Sequence, residues 1–247
     1  MIEIRGVKKA LNGKPVLAGV DLTIPEGRTL AIMGPSGTGK SVLLKHIVGL
    51  FDPDEGDILV DGMSVPDADR KEIFQIRSKI SYVFQNSALF DSLTAGQNIV
   101  LGLQERYCME PNADCGNIIR QVLRQVNLDP ETANLMPSEL SGGMQKRVAI
   151  ARAIAGPVRY ILYDEPTTGL DPVNAAIINR LISRLNHEVD ATSVIVTHDV
   201  DSAFQLADTI ALLSDGVVRA EGTPEELKAS EDPEVRKFLR LGTLVES

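Results

Sequence analysis

The sequence predicts an α/β fold with a mainly parallel sheet, an antiparallel β subdomain at its N-terminal end and an inserted α-helical subdomain. Three features of the chain carry this expectation. Strand and helix signals alternate along much of the sequence, as they do when helices cover both faces of a parallel sheet. The run 159–164 has apolar residues on both parities, as a strand buried on both faces would. From about 85 to 157 only helical signals occur, with strands on either side, so this stretch reads as an insertion into the α/β core.

Taken in order, strands are expected at 2–7 and 16–24, antiparallel because a short turn at Asn12-Gly13 joins them. The apolar run Leu30-Ala31-Ile32-Met33 sets a strand at 29–33, and a helical pattern from Val42 to Leu50 sets a helix at 40–50. Strands at 57–60 and 79–84 follow. Between them Arg70 to Lys79, the densest basic stretch, is interrupted by Glu72 and reads as a solvated helix face. Helices at 95–103, 116–126 and 142–155 fill the insertion, about 86–157. Ser141 can cap the last of them, and Val148, Ala149, Ala151, Arg152 and Ala155 continue it. The α/β pattern then resumes: strand 159–164, helix 173–188, strand 192–197, helix 200–206 and strands 209–214 and 217–221. Helices at 224–229 and 233–241 close the sequence. One domain over 1–222 and a helical tail over 223–247 are expected.

Composition narrows the function classes. The chain has 247 residues, 43% of them hydrophobic and 24% charged, enough for a sizeable core. A formal net charge of −9 and the lack of a long Lys/Arg block argue against a nucleic-acid partner. No apolar run approaches the ~20 residues of a membrane-spanning helix, and residues 1–5 are strand-like without an apolar signal core. A soluble chain that can dock on a membrane protein is expected. Cys108 and Cys115 lie in a polar stretch with no further metal ligands nearby, and read as free thiols in a reducing compartment.

The chemistry starts at Gly34-Pro35-Ser36-Gly37-Thr38-Gly39-Lys40-Ser41, which matches the phosphate-binding pattern G-x-x-x-x-G-K-[ST] between a strand and a helix. Glycines let backbone approach a phosphate closely, and the first amides of the helix point at the anion. Lys40 is expected at the β- and γ-phosphates and the Ser41 hydroxyl on Mg²⁺. The apolar strand Tyr160-Ile161-Leu162-Tyr163 ends in Asp164-Glu165. Asp164 can hold Mg²⁺ directly or through water, and Glu165 can polarise a water for attack on the γ-phosphate. Leu140-Ser141-Gly142-Gly143-Met144-Gln145 opens a helix with two bare glycine amides, a second candidate anion cradle; a plain Ser-capped helix after a turn has the same look.

These motifs, in this order, resemble the nucleotide-binding subunits of ATP-binding cassette (ABC) transporters. The phosphate loop at 34–41 is followed by Gln85 after a strand, by the signature 140–145 and by Asp164-Glu165. Gly169-Leu170-Asp171 comes next, and His198 follows the strand Val194-Ile195-Val196-Thr197. The likeness spans roughly residues 1 to 222. It implies an ABC ATPase core that takes ATP and Mg²⁺ and works as a head-to-tail homodimer. Each ATP would lie between the phosphate loop of one copy and Ser141, Gly142 and Gly143 of the other. The family would have Gln85 sense Mg²⁺ and the attacking water and link to the membrane partner. Glu165 would be the general base, His198 would bond the γ-phosphate, and Asp171 would touch the opposite subunit. The family's usual adenine-stacking aromatic is matched here by Leu11, which leaves apolar contact, and the signature's fifth residue is Met144 where Gln is common. His46 and His187 match no motif.

Within that family, three segments are similar to the ATPases of Mla/Mce-type lipid transporters. They are Phe84-Gln85-Asn86-Ser87-Ala88-Leu89-Phe90-Asp91-Ser92-Leu93-Thr94, the stretch from Leu135 to Met144, and the tail from Asp232 to Leu239. The similarity implies phospholipid or another hydrophobic cargo, integral membrane permease subunits and an MCE-type lipid-binding partner. The subunit would then be cytoplasmic, peripheral on the inner membrane. Importers of polar amino acids or other small solutes, soluble ABC ATPases of ribosomes or DNA, and regulatory modules without turnover are the alternatives.

Overall fold

A computed structural model describes residues 1–101, 103, 114–189 and 191–243. Two sheets form the frame. The first is antiparallel, in the order β2-β1-β4-β5, from β1 (Ile2–Leu11), β2 (Lys14–Ile24), β4 (Glu55–Val60) and β5 (Met63–Ser64). The second has the order β10-β9-β3-β8-β7-β6. It comprises β3 (Thr29–Met33), β6 (Ile80–Val83), β7 (Tyr160–Asp164), β8 (Thr192–Thr197), β9 (Thr209–Ser214) and β10 (Val217–Gly222). All its pairings are parallel except the β9–β10 hairpin. The expected mixture of an antiparallel and a mainly parallel sheet is therefore present.

Side-chain alternation explains why the parallel strands are apolar throughout. Leu30 and Ile32 of β3, Tyr160 and Leu162 of β7, and Val194 and Val196 of β8 face one core, shared with the antiparallel sheet and with α1 (Lys40–Ile47). Ile161, Tyr163 and Ile195 face a second core, built with the helices of the insertion and with α6 (Pro172–Val189). A strand covered on both faces has no polar parity to show. A third cluster joins Ala31 and Met33 to α7 (Val200–Leu206), α8 (Pro224–Ala229) and α9 (Pro233–Thr243) through Ala203, Leu227 and Val235.

Among the described residues between 85 and 157 there is no strand. The stretch holds α3 (Ala95–Leu101), α4 (Cys115–Gln125), two 3-10 turns and α5 (Gly142–Ile154). The first helix stops at Ile47 and not near 50, because Gly49 turns the chain with φ +63. The basic stretch before β6 is a helix, α2 (Arg70–Ser78), started by a reciprocal capping box of Asp69 and Glu72. The two-residue strand β5 and the 3-10 turns carry no periodicity long enough to read in advance. One expectation fails: Cys115 is disulfide-bonded and not a free thiol. The polar surroundings of a cysteine do not report its redox partner. Cys108, and the position 102 included in the helix expected at 95–103, lie outside the described residues. No helix among the described residues is long and apolar enough to cross a membrane.

Candidate functional site

Parallel pairing decides where the site forms. In register, Met33 lies beside Thr197, Asp164 beside Val196, and Val83 beside Tyr163. The carboxyl ends of β3, β6, β7 and β8 therefore share one edge, where ligands bind in sheets of this kind. The segments leaving that edge carry Gly34 to Ser41, Gln85, Asp164-Glu165 and His198.

The phosphate loop runs from buried β3 to α1, whose N-cap, Gly39, has φ +98. A Cβ there would come within 2.9 Å of the Val16 carbonyl oxygen, so the backbone conformation and the close approach both require glycine. Lys40 is 5% exposed. Its Nζ donates to the carbonyls of Gly34 (2.7 Å) and Pro35 (2.9 Å), with Glu165 Oε1 4.0 Å away. Burial pulls the Lys40 pKa down, while the Glu165 and Asp164 carboxylates oppose the shift.

Asp164 ends β7 with both oxygens engaged. Oδ1 accepts from Ser41 Oγ at 2.6 Å and Oδ2 from Tyr82 OH at 2.9 Å. Burial, and then the Asp164 charge, push the Tyr82 hydroxyl pKa up, so it stays a donor. A hydroxyl beside a carboxylate supplies hard oxygen donors that fit Mg²⁺. No cluster of three or more His, Cys, Asp and Glu suited to a metal occurs among the described residues. The remaining ligands of a cation here would be water and ligand oxygens. Glu165 is a non-glycine residue at φ +49, with its N–H bonded to the Val196 carbonyl at 2.9 Å. Its Oε2 accepts from Thr168 Oγ1 (3.0 Å) and meets His198 Nδ1 at 2.8 Å. The Glu165 side chain is 10% exposed and that of His198 51%, so the imidazole stands at the mouth of the site.

A cavity of about 430 Å³ lies over this edge. Leu11 and Val16 form an apolar end, and Ser36, Gly37, Gly39, Lys40, Ser41, Gln85, Glu165 and His198 a polar one. A neighbouring cavity of about 520 Å³ takes in Gly34, Pro35, Ser36, Gly169, His198 and Asp199. Ser141, Gly142, Gly143 and Asp171 line neither cavity. Ser141 caps α5 by accepting from the Met144 N–H at 3.3 Å. Asp171 accepts from the Asn174 N–H (3.0 Å) and from Asn174 Nδ2 (2.6 Å), which holds its pKa low. A Cβ on Gly143 would come within 3.1 Å of Asn174 Oδ1, so Asp171 and the glycine pair share a patch of their own. One chain thus presents two clusters: a phosphate loop with its carboxylates, and a separate helix N-terminus with bare glycines.

Tyr82, Thr168 and Lys146 were not singled out by sequence. Tyr82 carries no local signal, since its partner Asp164 comes from another segment, and Thr168 lies three residues after its partner Glu165 in the turn that follows β7. Lys146 does carry one: it interrupts the buried stripe that continues through Ala149, Ile150 and Ala153 of α5. His46 is fully buried, with Nδ1 bonded to the Val42 carbonyl at 2.7 Å, and lies outside both cavities.

A nucleoside-triphosphate-binding α/β cassette is the class that this sheet, loop and carboxylate pair define. The ABC transporter family model matches residues 17–168. The intermembrane phospholipid transport system ATP-binding protein MlaF of Escherichia coli (strain K12) is 38% identical over 239 residues, covering 97% of this chain and 88% of that protein. The probable ribonucleotide transport ATP-binding protein mkl of Mycobacterium leprae is 38% identical over 238 residues, covering 96% of this chain and 68% of that one. Among solved structures, the dimeric ABC cassette MJ0796 in a post-hydrolysis state with ADP and Pi superposes with a TM-score of 0.82. It is 37% identical and covers 91% of this chain and 99% of that one. The chain belongs to the ABC transporter family, and its fold is that of the family's ATPase cassettes.

Proposed function

We propose that this cassette is the ATP-hydrolysing subunit of a transporter that moves phospholipid, paired with a second copy and docked on integral membrane permease subunits at the cytoplasmic face of the inner membrane. An MCE-type lipid-binding protein is the further partner this reading includes. The similarity to the phospholipid-transport protein MlaF over nearly the whole chain supports the cargo. The observation that carries the mechanism is the split between the two clusters. Ser141, Gly142 and Gly143 lie apart from the phosphate loop of their own chain, so they are available to the triphosphate of a partner.

In this reading Gly34 to Ser41 wrap the phosphates and Lys40 counters their charge. Leu11 and Val16 offer the base an apolar wall. Ser41, Asp164 and Gln85 would hold Mg²⁺, which would offset the charge of the transferring group. Glu165 takes the proton of the attacking water at Oε1 or Oε2, and His198, bonded to Oε2, orients that carboxylate and reaches the γ-phosphate. Asp171 contacts the opposite subunit. Charge-assisted bonds of about 1.5–3 kcal/mol each tie ATP to both copies, and loss of the γ-phosphate lets them part.

The test uses cassette and permease together in vesicles carrying a fluorescent phospholipid. ATP-dependent lipid movement is expected, with Glu165→Gln retaining ATP in a closed dimer and releasing no phosphate, and Lys40→Ala losing ATP binding. Absence of ATP-dependent lipid movement sinks the cargo; phosphate release by Glu165→Gln at the wild-type rate sinks the base.

A further inference from the structure

Lys146 is a costly residue in its position. It opens the second turn of α5, one turn beyond Gly142, and is 6% exposed. No carboxylate lies within ion-pairing distance of it among the described residues. A buried ammonium has three donors and no acceptor, and costs stability unless those donors are met. The rest of the buried stripe of α5 is aliphatic, so a Met would fill this place without that cost.

The donors are aimed at two backbone carbonyls. Lys146 Nζ donates to the carbonyl of Gln85 and to that of Glu165, the latter at 3.5 Å. Both belong to segments that leave the ligand-binding edge of the sheet, after β6 and after β7. Glu165 is the more demanding of the two. Its backbone occupies the left-handed region, sparsely populated for a residue with a side chain, and such a conformation persists where surrounding bonds hold it. The Val196 carbonyl holds its N–H, and Lys146 holds its carbonyl. Burial lowers the Lys146 pKa while the Glu165 and Asp164 charges sustain the ammonium, so the charged donor and the two carboxylates support one another.

We propose that Lys146 is a positioning residue that ties the helix bearing Ser141, Gly142 and Gly143 to the backbones of Gln85 and Glu165, so that engagement of a partner's triphosphate at the start of α5 sets the carboxylate of this chain. The inference rests on the proposed hydrolytic role of Glu165 and adds the means by which the second cradle acts on the first. A helix transmits a shift of its N-terminus along its length, and Lys146 is the point at which α5 is pinned to both segments through one atom.

The experiment measures steady-state ATP hydrolysis by the cassette with its permease for Lys146→Met, Lys146→Gln and Lys146→Arg, beside Tm and the affinity for a non-hydrolysable ATP analogue. Residues that orient a reacting group from behind typically carry about 10–100-fold in activity. Lys146→Met is therefore expected to lower kcat about tenfold or more, with KM for ATP and analogue affinity within threefold of wild type. Lys146→Arg, which keeps charged donors, should recover most of that loss. Lys146→Gln, which keeps a neutral donor, should fall between them and serves if the Met variant does not fold. Wild-type kcat in the Met and Gln variants overturns the inference. So does a loss of kcat that tracks a loss of analogue affinity, or one that Arg leaves as large as Met does. A wild-type rate in Glu165→Gln would sink the base assignment instead, which keeps the two failures apart.

Discussion

Gly37 and Gly39 stand two residues apart in the phosphate loop, both at positive φ (+82 and +98), yet they should respond differently to alanine. At Gly37 a Cβ meets nothing within 4 Å. Its cost is the left-handed backbone, about 1–2 kcal/mol, less the about 0.4–1 kcal/mol that alanine gains by restricting the unfolded chain. A net loss of about 0.5–1 kcal/mol follows. At Gly39 the same Cβ lies 2.9 Å from the Val16 carbonyl oxygen and 2.9 Å from side-chain carbons of Val16 and Leu17. A backbone carbonyl cannot move aside as the end of a side chain can, so an overpacking cost of about 1–3 kcal/mol is added. The expected net for Gly39→Ala is about 2–4 kcal/mol. At about 2–4 °C per kcal/mol for a chain of this size, Gly37→Ala should lower Tm by about 1–4 °C and Gly39→Ala by about 5–15 °C. Calorimetric scans of the nucleotide-free proteins read the difference. Equal shifts in the two variants would refute the argument, because they would mean that Val16 and Leu17 do not confine the loop.

Two further outcomes follow from other parts of the molecule. Asp61 accepts from Lys79 Nζ (2.8 Å), Arg159 Nη1 (3.2 Å) and Tyr160 OH. Its burial would raise the carboxyl pKa, but the Lys79 and Tyr160 hydrogen bonds outweigh this and bring it to about 2 from 3.8. A carboxylate with a depressed folded pKa stabilises above its unfolded value. About 1–2 kcal/mol, allowing for solvent screening, should therefore be present at neutral pH and lost as pH falls from about 4 towards 2. An Asp61→Asn variant should show a smaller acid loss in urea titrations over that range; an unchanged one contradicts the assignment. Leu11→Tyr should tighten ATP binding about 2–10-fold, because a stacked ring adds about 0.5–1.5 kcal/mol beyond area burial, and should leave pyrophosphate affinity as it was. Equal effects on both ligands would move the base away from Leu11.

The features legible in the residues alone are those whose causes are local. The glycine pattern of 34–41, the apolar strand ending in Asp164, and the Ser141 cap each lie within a few residues of chain, where backbone geometry and hydrogen-bond reach leave one reading. The double-sided burial of 160–164 was legible for the same reason, since covering both faces of a strand removes its polar parity. Strand ends blurred where glycines and bulges act: β1 runs on to Leu11 through three register shifts against β2, which no alternation pattern marks.

Which distant groups meet is set by the packing of the whole chain. Ser41 and Asp164 are 123 positions apart, Tyr82 and Asp164 82, and Lys146 and Gln85 61. Those meetings depend on the order β3-β8-β7-β6 and on the parallel register that brings the strand ends to one edge. Strand order is a global minimum over many pairings, and a single chain's periodicity says which face is buried without saying against which neighbour. The disulfide at Cys115 belongs to the same class, for pairing is a matter of distance in space. So does the separation of the Ser141 helix start from the phosphate loop: the capping serine and its glycines are local features, but the packing of α5 against the insertion decides that they do not line the phosphate-loop cavity.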